Sequence, residues 1–202
     1  MSATSTTLSA AVWPTPENGM KAVMRNAVLA LAGTALIAVC ARIQVPMWPV
    51  PMTMQVFAVL LIGLAYGARL GAATVALYVA QGAVGLPVFA GGGGLAYLAG
   101  PTGGFLFGFI LAAAAAGYLA DRGWGRPAVR IFAACVVGIA CIYALGLPWL
   151  AALLTFAKGM TVDAAVTTAV MKGAVPFLVG DAVKAALAAV ILPVAWRVLS
   201  RV

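Results

Sequence analysis

The sequence has very few charged residues and no histidine. Of its 202 residues, 12 are Lys or Arg and 4 are Asp or Glu, whereas 65% are hydrophobic and a further 23 are glycine. A water-facing surface needs a larger charged share, about a quarter to a third of its residues. The composition therefore excludes an ordinary soluble domain and predicts a chain surrounded by lipid. Each charged side chain must then lie at a helix end, in a loop or in a protected interior.

The residues that most catalytic and metal sites require are also scarce. The absence of histidine excludes His-based acid–base catalysis, Ser-His-Asp hydrolysis and His-ligated metals. Cys40, Cys135 and Cys141 lie within apolar runs and lack the paired spacing of a metal site or a disulfide framework. The net charge of +8 comes from scattered basic residues, without the basic and aromatic stripe of a nucleic-acid-binding surface. We therefore expect no cofactor, no metal and no nucleic acid.

Six apolar runs have roughly the length of a membrane-spanning helix, about 20 residues. None shows the two-residue alternation of a membrane β-barrel, so an all-α membrane protein with six transmembrane helices is predicted. The second run is short, which is compatible with a tilted or re-entrant helix or with extension through residues 50–53. The fifth is long enough to tilt strongly or to break near Gly146 and Pro148. The runs cover residues 21–42, 54–67, 70–87, 104–120, 128–157 and 174–196.

The domain organisation and orientation follow from the segments between these runs. Residues 1–20 are rich in Ser, Thr, Ala and Pro, and we expect a disordered tail there, followed by a single six-helix domain over residues 21–202. The positive-inside rule places both termini in the cytoplasm, with outer loops at residues 43–53, 88–103 and 158–173. The inner side then holds Lys21, Arg25, Arg69, Arg122, Arg126, Arg130, Arg197 and Arg201, and the outer side only Arg42, Lys158 and Lys172.

Asp181 and Lys184 interrupt the last apolar run three residues apart, a spacing that puts both side chains on one helix face. Counted from Ala174 at about 1.5 Å per residue, they would lie roughly 10 and 15 Å below the outer end of the helix. Ionisable groups at that depth cost several kcal/mol unless they face an interior cavity and have partners. The pattern favours a polar ligand site that opens outward. A structural ion pair and a proton relay are the alternatives.

Two outer loops offer further contacts for such a site. Three prolines stiffen residues 45–55, where Trp48 and the methionines present apolar surface, although an interfacial Trp anchor explains the same residues. The glycine-dense segment 82–104 allows close backbone approach, and the helix that starts after Pro101 presents N–H groups suited to a carboxylate. A flexible hairpin is the alternative there. No Gly-Lys-Ser/Thr follows, so a phosphate-binding P-loop is excluded.

Small residues recur at Ala30, Thr34 and Ala38 in the first run. This spacing lets helices approach closely in lipid. Because alanine is frequent throughout the chain, internal packing is the default interpretation. If the face points outward, it is a docking surface for a partner membrane protein.

Four segments share their order and spacing with a known family. They are VPMWPVPMTMQ at residues 45–55, the segment 78–92 with its Gly85-Leu86-Pro87-Val88 core, GPTGGF at residues 100–105, and Asp181 with Lys184. Together they resemble BioY, the biotin-specific substrate-capture (S) component of energy-coupling factor (ECF) transporters. The resemblance covers about residues 22–196.

The resemblance implies an S-component-like bundle of six helices that captures biotin with high affinity near the outer surface of the bacterial plasma membrane. It implies that residues 21–202 form one substrate-binding domain. A transmembrane (T) subunit, docked on Ala30, Thr34 and Ala38, and two cytoplasmic ABC-type ATPases would then drive release inward. The chain has no ATP-binding motif of its own, although some members of the family are thought to work without dedicated partners.

The resemblance also implies a set of substrate-binding residues. Asp181 is suited to accept hydrogen bonds from the ureido N–H groups of biotin, and Lys184 to donate to the ureido carbonyl or to neutralise Asp181. The valerate would then extend toward the helix start at Thr102 and Gly103, and the opposite orientation of the ligand remains an alternative. The remaining members of the expected set are Gln55 and the apolar walls Trp48, Tyr78, Phe89 and Tyr97.

Three other functions are compatible with parts of the sequence. An S component for a different vitamin is the nearest of them, and the Asp181–Lys184 pair together with the proline-rich loop argues against it. An intramembrane enzyme would need a nucleophile or an acid–base set, and only one acid lies at depth, so we expect no enzymatic activity. A purely structural subunit of a membrane complex would bind no small molecule.

The orientation is testable with reporter fusions. A fluorescent protein fused to the carboxyl terminus should fluoresce, and alkaline phosphatase fused there should stay inactive, because both termini are expected in the cytoplasm. An active phosphatase at the carboxyl terminus would contradict the six-span arrangement.

Overall fold

Helices form most of the chain in the computed structural model, which describes residues 7–199. Two short strands, β1 (Gln44–Val45) and β2 (Met52–Thr53), pair antiparallel in the segment expected to be the first outer loop. A 3-10 turn covers Val175–Phe177, and a π-helical turn covers Ala120–Trp124. The helices are α1 (Leu8–Val12), α2 (Gly19–Arg42), α3 (Gln55–Tyr66), α4 (Ala68–Ala83), α5 (Leu95–Leu98), α6 (Gly103–Leu119), α7 (Ala128–Lys158), α8 (Val162–Gly173) and α9 (Leu178–Leu199).

Four helical segments within residues 7–199 are long and apolar enough to cross a membrane: Gly19–Arg42, Gly103–Trp124, Ala128–Lys158 and Val162–Leu199. The prediction of an all-α membrane-embedded protein is confirmed at this level. The second and third predicted spans form shorter helices, α3 with 12 residues and α4 with 16. At about 1.5 Å per residue these helices are roughly 18 and 24 Å long, less than the hydrocarbon thickness of about 30 Å.

Helix α3 is short because it lies inside the bundle. It packs against α2, α4, α6 and α9, and its first residue, Gln55, is already buried. Its buried positions are Gln55, Ala58, Val59, Leu60, Ile62, Gly63, Leu64 and Ala65. A helix surrounded by protein does not need to match the thickness of the lipid, and polar ends inside the bundle are tolerated where protein satisfies them.

Helix α6 packs against α7, α4 and α3, and small residues set the distances between these helices. A side-chain carbon added at Gly108 would lie 2.8 Å from Cα of Ile142, so α6 and α7 meet almost backbone to backbone. Small residues at such crossings are the usual means of close helix packing in lipid. This close approach brings residues 105–109 of α6 and residues 142–143 of α7 to the same interior surface.

The structure corrects two expectations about the later part of the chain. Helix α7 runs without a break through Pro148, although a break there was one of the sequence alternatives. The expected outer loop at residues 158–173 is wrong, because Val162–Gly173 forms helix α8 packed on α7. Ala165 and Ala169, four residues apart, form its buried face. The charges at its two ends suit a helix, since Asp163 lies in the first turn and Lys172 in the last.

Arg25 ties the start of the described chain to α2. The residue is 3% exposed, and its guanidinium donates to the carbonyl oxygens of Trp13 at 2.7 Å and Ser9 at 2.9 Å. A third bond runs to Oδ1 of Asn26 at 2.9 Å. These bonds hold helix α1, which also contacts α3 and α9.

The expected disordered tail differs accordingly from the structure. Its residues 1–6 lie outside the described residues, and residues 7–20 contain α1 and the beginning of α2. The composition of the tail did not indicate this arrangement, because the side chain that anchors it belongs to the following helix.

Replacing Arg25 with Met should release α1, since the backbone oxygens of Ser9 and Trp13 would lose their donors. The cost is about 1–3 kcal/mol for the unsatisfied buried groups. Limited proteolysis of the detergent-purified protein should then cut near residues 10–18 faster than in the wild type. Lys21→Met is the control, because Lys21 is exposed on the same helix. Equal proteolysis of the two variants would contradict the anchoring role.

Candidate functional site

A cavity lies between α3, α6, α7 and α9. Its lining is mainly apolar, with a few polar groups from different elements. The lining residues are Val50, Pro51, Thr53, Gln55, Val56, Ala90, Tyr97, Thr102, Phe105, Leu106, Phe109, Ile142, Tyr143, Gly173, Phe177, Asp181 and Lys184.

Asp181 and Lys184 both line this cavity and form an ion pair. Lys184 Nζ donates to Asp181 Oδ1 at 2.9 Å, and each residue is 5% exposed. Their depth differs from the sequence estimate, because α9 begins at Leu178 rather than at Ala174. Asp181 therefore lies in the first turn, roughly 4–5 Å into the helix, and Lys184 roughly 9 Å. The pair is protected by surrounding protein more than by depth along the helix.

Tyr143 is a member of the site that the sequence analysis missed. Its hydroxyl donates to Asp181 Oδ2 at 2.6 Å, so each carboxylate oxygen of Asp181 accepts one hydrogen bond, from Tyr143 or from Lys184. A carboxylate offers about four lone-pair positions, which leaves acceptor capacity toward the cavity. The only sequence signal was a hydroxyl-bearing residue in the middle of the fifth apolar run. Nothing in the sequence showed that α7 and α9 bring it to Asp181.

Gln55 lines the cavity as part of a buried hydrogen-bond chain. Thr53 Oγ1 donates to Gln55 Oε1 at 3.0 Å, Gln55 Nε2 donates to the Tyr78 hydroxyl at 2.7 Å, and that hydroxyl donates to the carbonyl oxygen of Val88 at 2.8 Å. The chain joins β2, α3, α4 and the glycine-rich segment. Within residues 7–199, no buried side-chain nitrogen or oxygen lacks a hydrogen-bond partner. The network therefore fixes the orientation of the Gln55 side chain.

Tyr78, Phe89 and Tyr97, three of the four expected aromatic walls, form a stack of which only one member faces the cavity. Phe89 packs edge-on against Tyr78, with ring centroids 5.5 Å apart, and stacks on Tyr97 at 5.2 Å. Tyr78 and Phe89 are fully buried and do not line the cavity, whereas Tyr97 does. The absence of a side chain at Gly82 makes room for the Phe89 ring, which a Cβ there would overlap. Tyr78 and Phe89 thus support Tyr97 from behind.

The fourth expected wall, Trp48, does not line the cavity. It is 65% exposed, and its ring lies under Lys172 of α8, with Nζ 4.8 Å from the ring centroid. Its location in the outer loop agrees better with the interfacial alternative. Sequence proximity to Val50 and Pro51, which do line the cavity, made Trp48 look equivalent to them.

The start of α6 contributes Thr102 but not Gly103. Thr102 lines the cavity, whereas Gly103 is buried behind it and is not among the lining residues. The backbone N–H of Gly103 donates to the carbonyl oxygen of Gly100 at 3.1 Å. This N–H is therefore already used and does not face a ligand.

The small-residue stripe of α2 is not a free docking surface. Ala30 and Thr34 are buried, and Ala38 is partly buried against the core. Gly33, next to Thr34, is so close to Thr74 of α4 that a side chain there would overlap it. The stripe therefore packs inside the bundle, and the expectation that it forms the partner surface is wrong. The sequence pattern could not distinguish an inward from an outward face.

A sequence model of the BioY family matches residues 9–201. This chain belongs to the BioY family. The match covers α1 to α9 and therefore every residue of the cavity.

Curated BioY relatives cover most of the chain. The "Biotin transporter BioY" of Thermotoga maritima is 43% identical over 169 residues, which is 83% of this chain and 94% of that protein. The "Probable biotin transporter BioY" of Pyrococcus horikoshii is 42% identical over 158 residues, 78% and 87% of the two chains. A solved structure, described as the S-component for biotin from an ECF-type ABC transporter, aligns with a TM-score of 0.68 over 90% of this chain and 95% of that one. At 21% identity, that likeness shows a shared fold.

The buried ion pair makes a prediction about stability. Lys184→Met should destabilise the protein by about 3–5 kcal/mol, because it leaves the Asp181 carboxylate buried without its charge partner. Asp181→Leu should have a comparable effect for the opposite reason. The double variant Asp181→Leu/Lys184→Met removes both charges and should recover most of the loss, as measured by thermal unfolding in detergent. Additive losses in the double variant would contradict the coupling of the two charges.

Proposed function

We propose that this chain captures biotin at the outer side of the membrane, as the substrate-binding subunit of an ECF-type transporter. The names of its BioY relatives describe biotin transporters, and the fold is that of a biotin S component. Those names describe proteins that move a substrate rather than convert one, which supports a transport function without enzymatic activity.

The observation that carries this proposal is the Asp181–Lys184 pair in an otherwise apolar cavity. The ureido ring of biotin has two N–H donors and one carbonyl acceptor. Asp181 keeps free acceptor positions, and the Lys184 ammonium has two N–H groups beyond the one bonded to Asp181. A carboxylate and an ammonium side by side are therefore complementary to the ureido group. Tyr143 holds the second carboxylate oxygen of Asp181 and acts as a positioning residue.

The rest of the cavity suits the rest of the molecule. Phe105, Leu106, Phe109 and Ile142 supply apolar surface for the thioether ring and the alkyl chain. The valerate then extends toward the part of the cavity lined by Tyr97 and Thr102, which adjoins the outer loops. Gln55 contributes a fixed polar group between these regions, held by its bond to Tyr78. Phe89 stacks on Tyr97 and supports that wall. Trp48 and Gly103 are not part of this proposed contact set.

We further infer that α2, α3, α4, α6, α7 and α9 form six spans of the bacterial plasma membrane, with both termini in the cytoplasm. The basic residues of the sequence support this orientation. The two short helices, α3 and α4, are compatible with it because they pack largely against other helices of the bundle.

Transport needs an energy source outside this chain. The sequence contains no phosphate-binding P-loop. The proposed partners are therefore the transmembrane (T) subunit and two ABC-type ATPases that the ECF context implies. The small-residue stripe of α2 is buried, so the contact with the T subunit must use another surface.

Equilibrium binding of labelled biotin to the detergent-purified protein tests the proposal. The wild type should bind saturably. Asp181→Asn, Lys184→Met and Tyr143→Phe should each weaken binding, because each removes or misaligns a hydrogen bond that involves a charged group. Such bonds contribute about 1.5–3 kcal/mol, which corresponds to about 10- to 100-fold in affinity.

Matched controls are available at exposed positions of α7 and of α8, the helix that precedes α9. Asp163→Asn and Lys158→Met change one charge each at exposed positions of α8 and α7 and should leave biotin affinity unchanged. Wild-type protein that does not bind biotin, or controls that weaken binding as much as the cavity variants, would overturn the proposal.

A further inference from the structure

A second cavity, the vestibule, adjoins the ligand cavity on the side of the outer loops. Pro51, Ala90, Tyr97 and Thr102 line both cavities, and we call these four residues the neck. Beyond the neck, the vestibule reaches exposed residues such as Ala96 of α5. A ligand seated in the ligand cavity therefore has only these four residues between it and the vestibule.

The charges of the ligand cavity determine which end of the ligand is buried. Asp181 and Lys184 are its only charged lining residues, and they neutralise each other at 2.9 Å. A ligand carboxylate placed beside them would leave one negative charge without compensation in a buried site, which is costly. A neutral group with donors and an acceptor meets the same pair without that cost. The acidic end of a biotin-like ligand is therefore directed to the neck.

The vestibule has no fixed cation for that acidic end. None of its lining residues is Lys or Arg. Arg42 lies two residues before Gln44 in the chain, and its guanidinium donates to the carbonyl oxygen of Pro87. The polar side chains at the neck, Tyr97 and Thr102, carry hydroxyl groups, which can donate to a carboxylate and equally to an amide oxygen. These hydroxyl groups can bind this end of the ligand whether or not it carries a negative charge.

We propose that the site also accepts biotin whose carboxyl group is condensed with an amine, with the added part lying in the vestibule. The substrate class is then biotin and its amides, such as the amide formed with the side-chain amine of lysine. This inference rests on the proposed biotin-binding function.

Competition against labelled biotin tests the charge argument on the wild-type protein. Biotinamide is neutral and nearly the same size as biotin, so it should compete within about tenfold of unlabelled biotin. A preference for the free acid of more than about 100-fold would overturn the inference, because it would show that a cation recognises the carboxylate. Failure of biotin itself to bind would overturn the proposed function and this inference together.

A matched pair of variants tests the vestibule. Ala96→Trp puts a bulky side chain at an exposed vestibule position, and Leu95→Trp puts the same side chain at its exposed neighbour, which does not line either cavity. Ala96→Trp should weaken the lysine amide of biotin at least about tenfold relative to biotin, whereas Leu95→Trp should leave that ratio unchanged. An unchanged ratio in Ala96→Trp, or equal changes in both variants, would overturn the proposed path.

Discussion

The ion pair between Asp181 and Lys184 is the interaction on which the rest of the site depends. Two charges within a bundle of apolar helices are tolerated only when each has a partner. The Tyr143 hydroxyl and the Lys184 ammonium each occupy one oxygen of the carboxylate. The pair is neutral as a whole, so it can meet a polar uncharged group of a ligand without leaving a net charge in the interior. In the proposed function, this neutrality determines both the class of ligand and its direction in the cavity.

The packing of the helices explains how the residues around the Asp181–Lys184 pair are positioned. Close packing of α6 on α7 at Gly108 brings two aromatic-rich surfaces together around the cavity. The buried helix α3 places Gln55 at its first turn, where the chain of bonds through Tyr78 joins it to the glycine-rich segment. Phe89, seated over Gly82, then supports Tyr97 at the neck. The bonds from Tyr143 to Asp181 and from Gln55 to Tyr78 thus join elements that are distant in the chain.

Much of the fold and part of the site could be predicted from the sequence, because a chain in lipid must place its charges at protected positions and needs helices long enough to cross the bilayer. The membrane class, the helical runs and the importance of Asp181 and Lys184 all follow from the scarcity of charge. The partners of these residues could not be predicted, since Tyr143 becomes relevant only when α7 lies beside α9. Trp48 and the stripe containing Thr34 were misassigned for a related reason: a sequence shows which residues share a helix face or loop, but not what that face meets. Helix α8 was missed because charged ends resemble a loop.

The structure of the purified protein with biotin bound is the most direct test of the central claim. We expect the ureido ring within hydrogen-bonding distance of Asp181 and Lys184, with their ion pair retained, and the valerate carboxylate at the neck formed by Pro51, Ala90, Tyr97 and Thr102. A carboxylate bound against Lys184, or a ligand outside this cavity, would contradict the account.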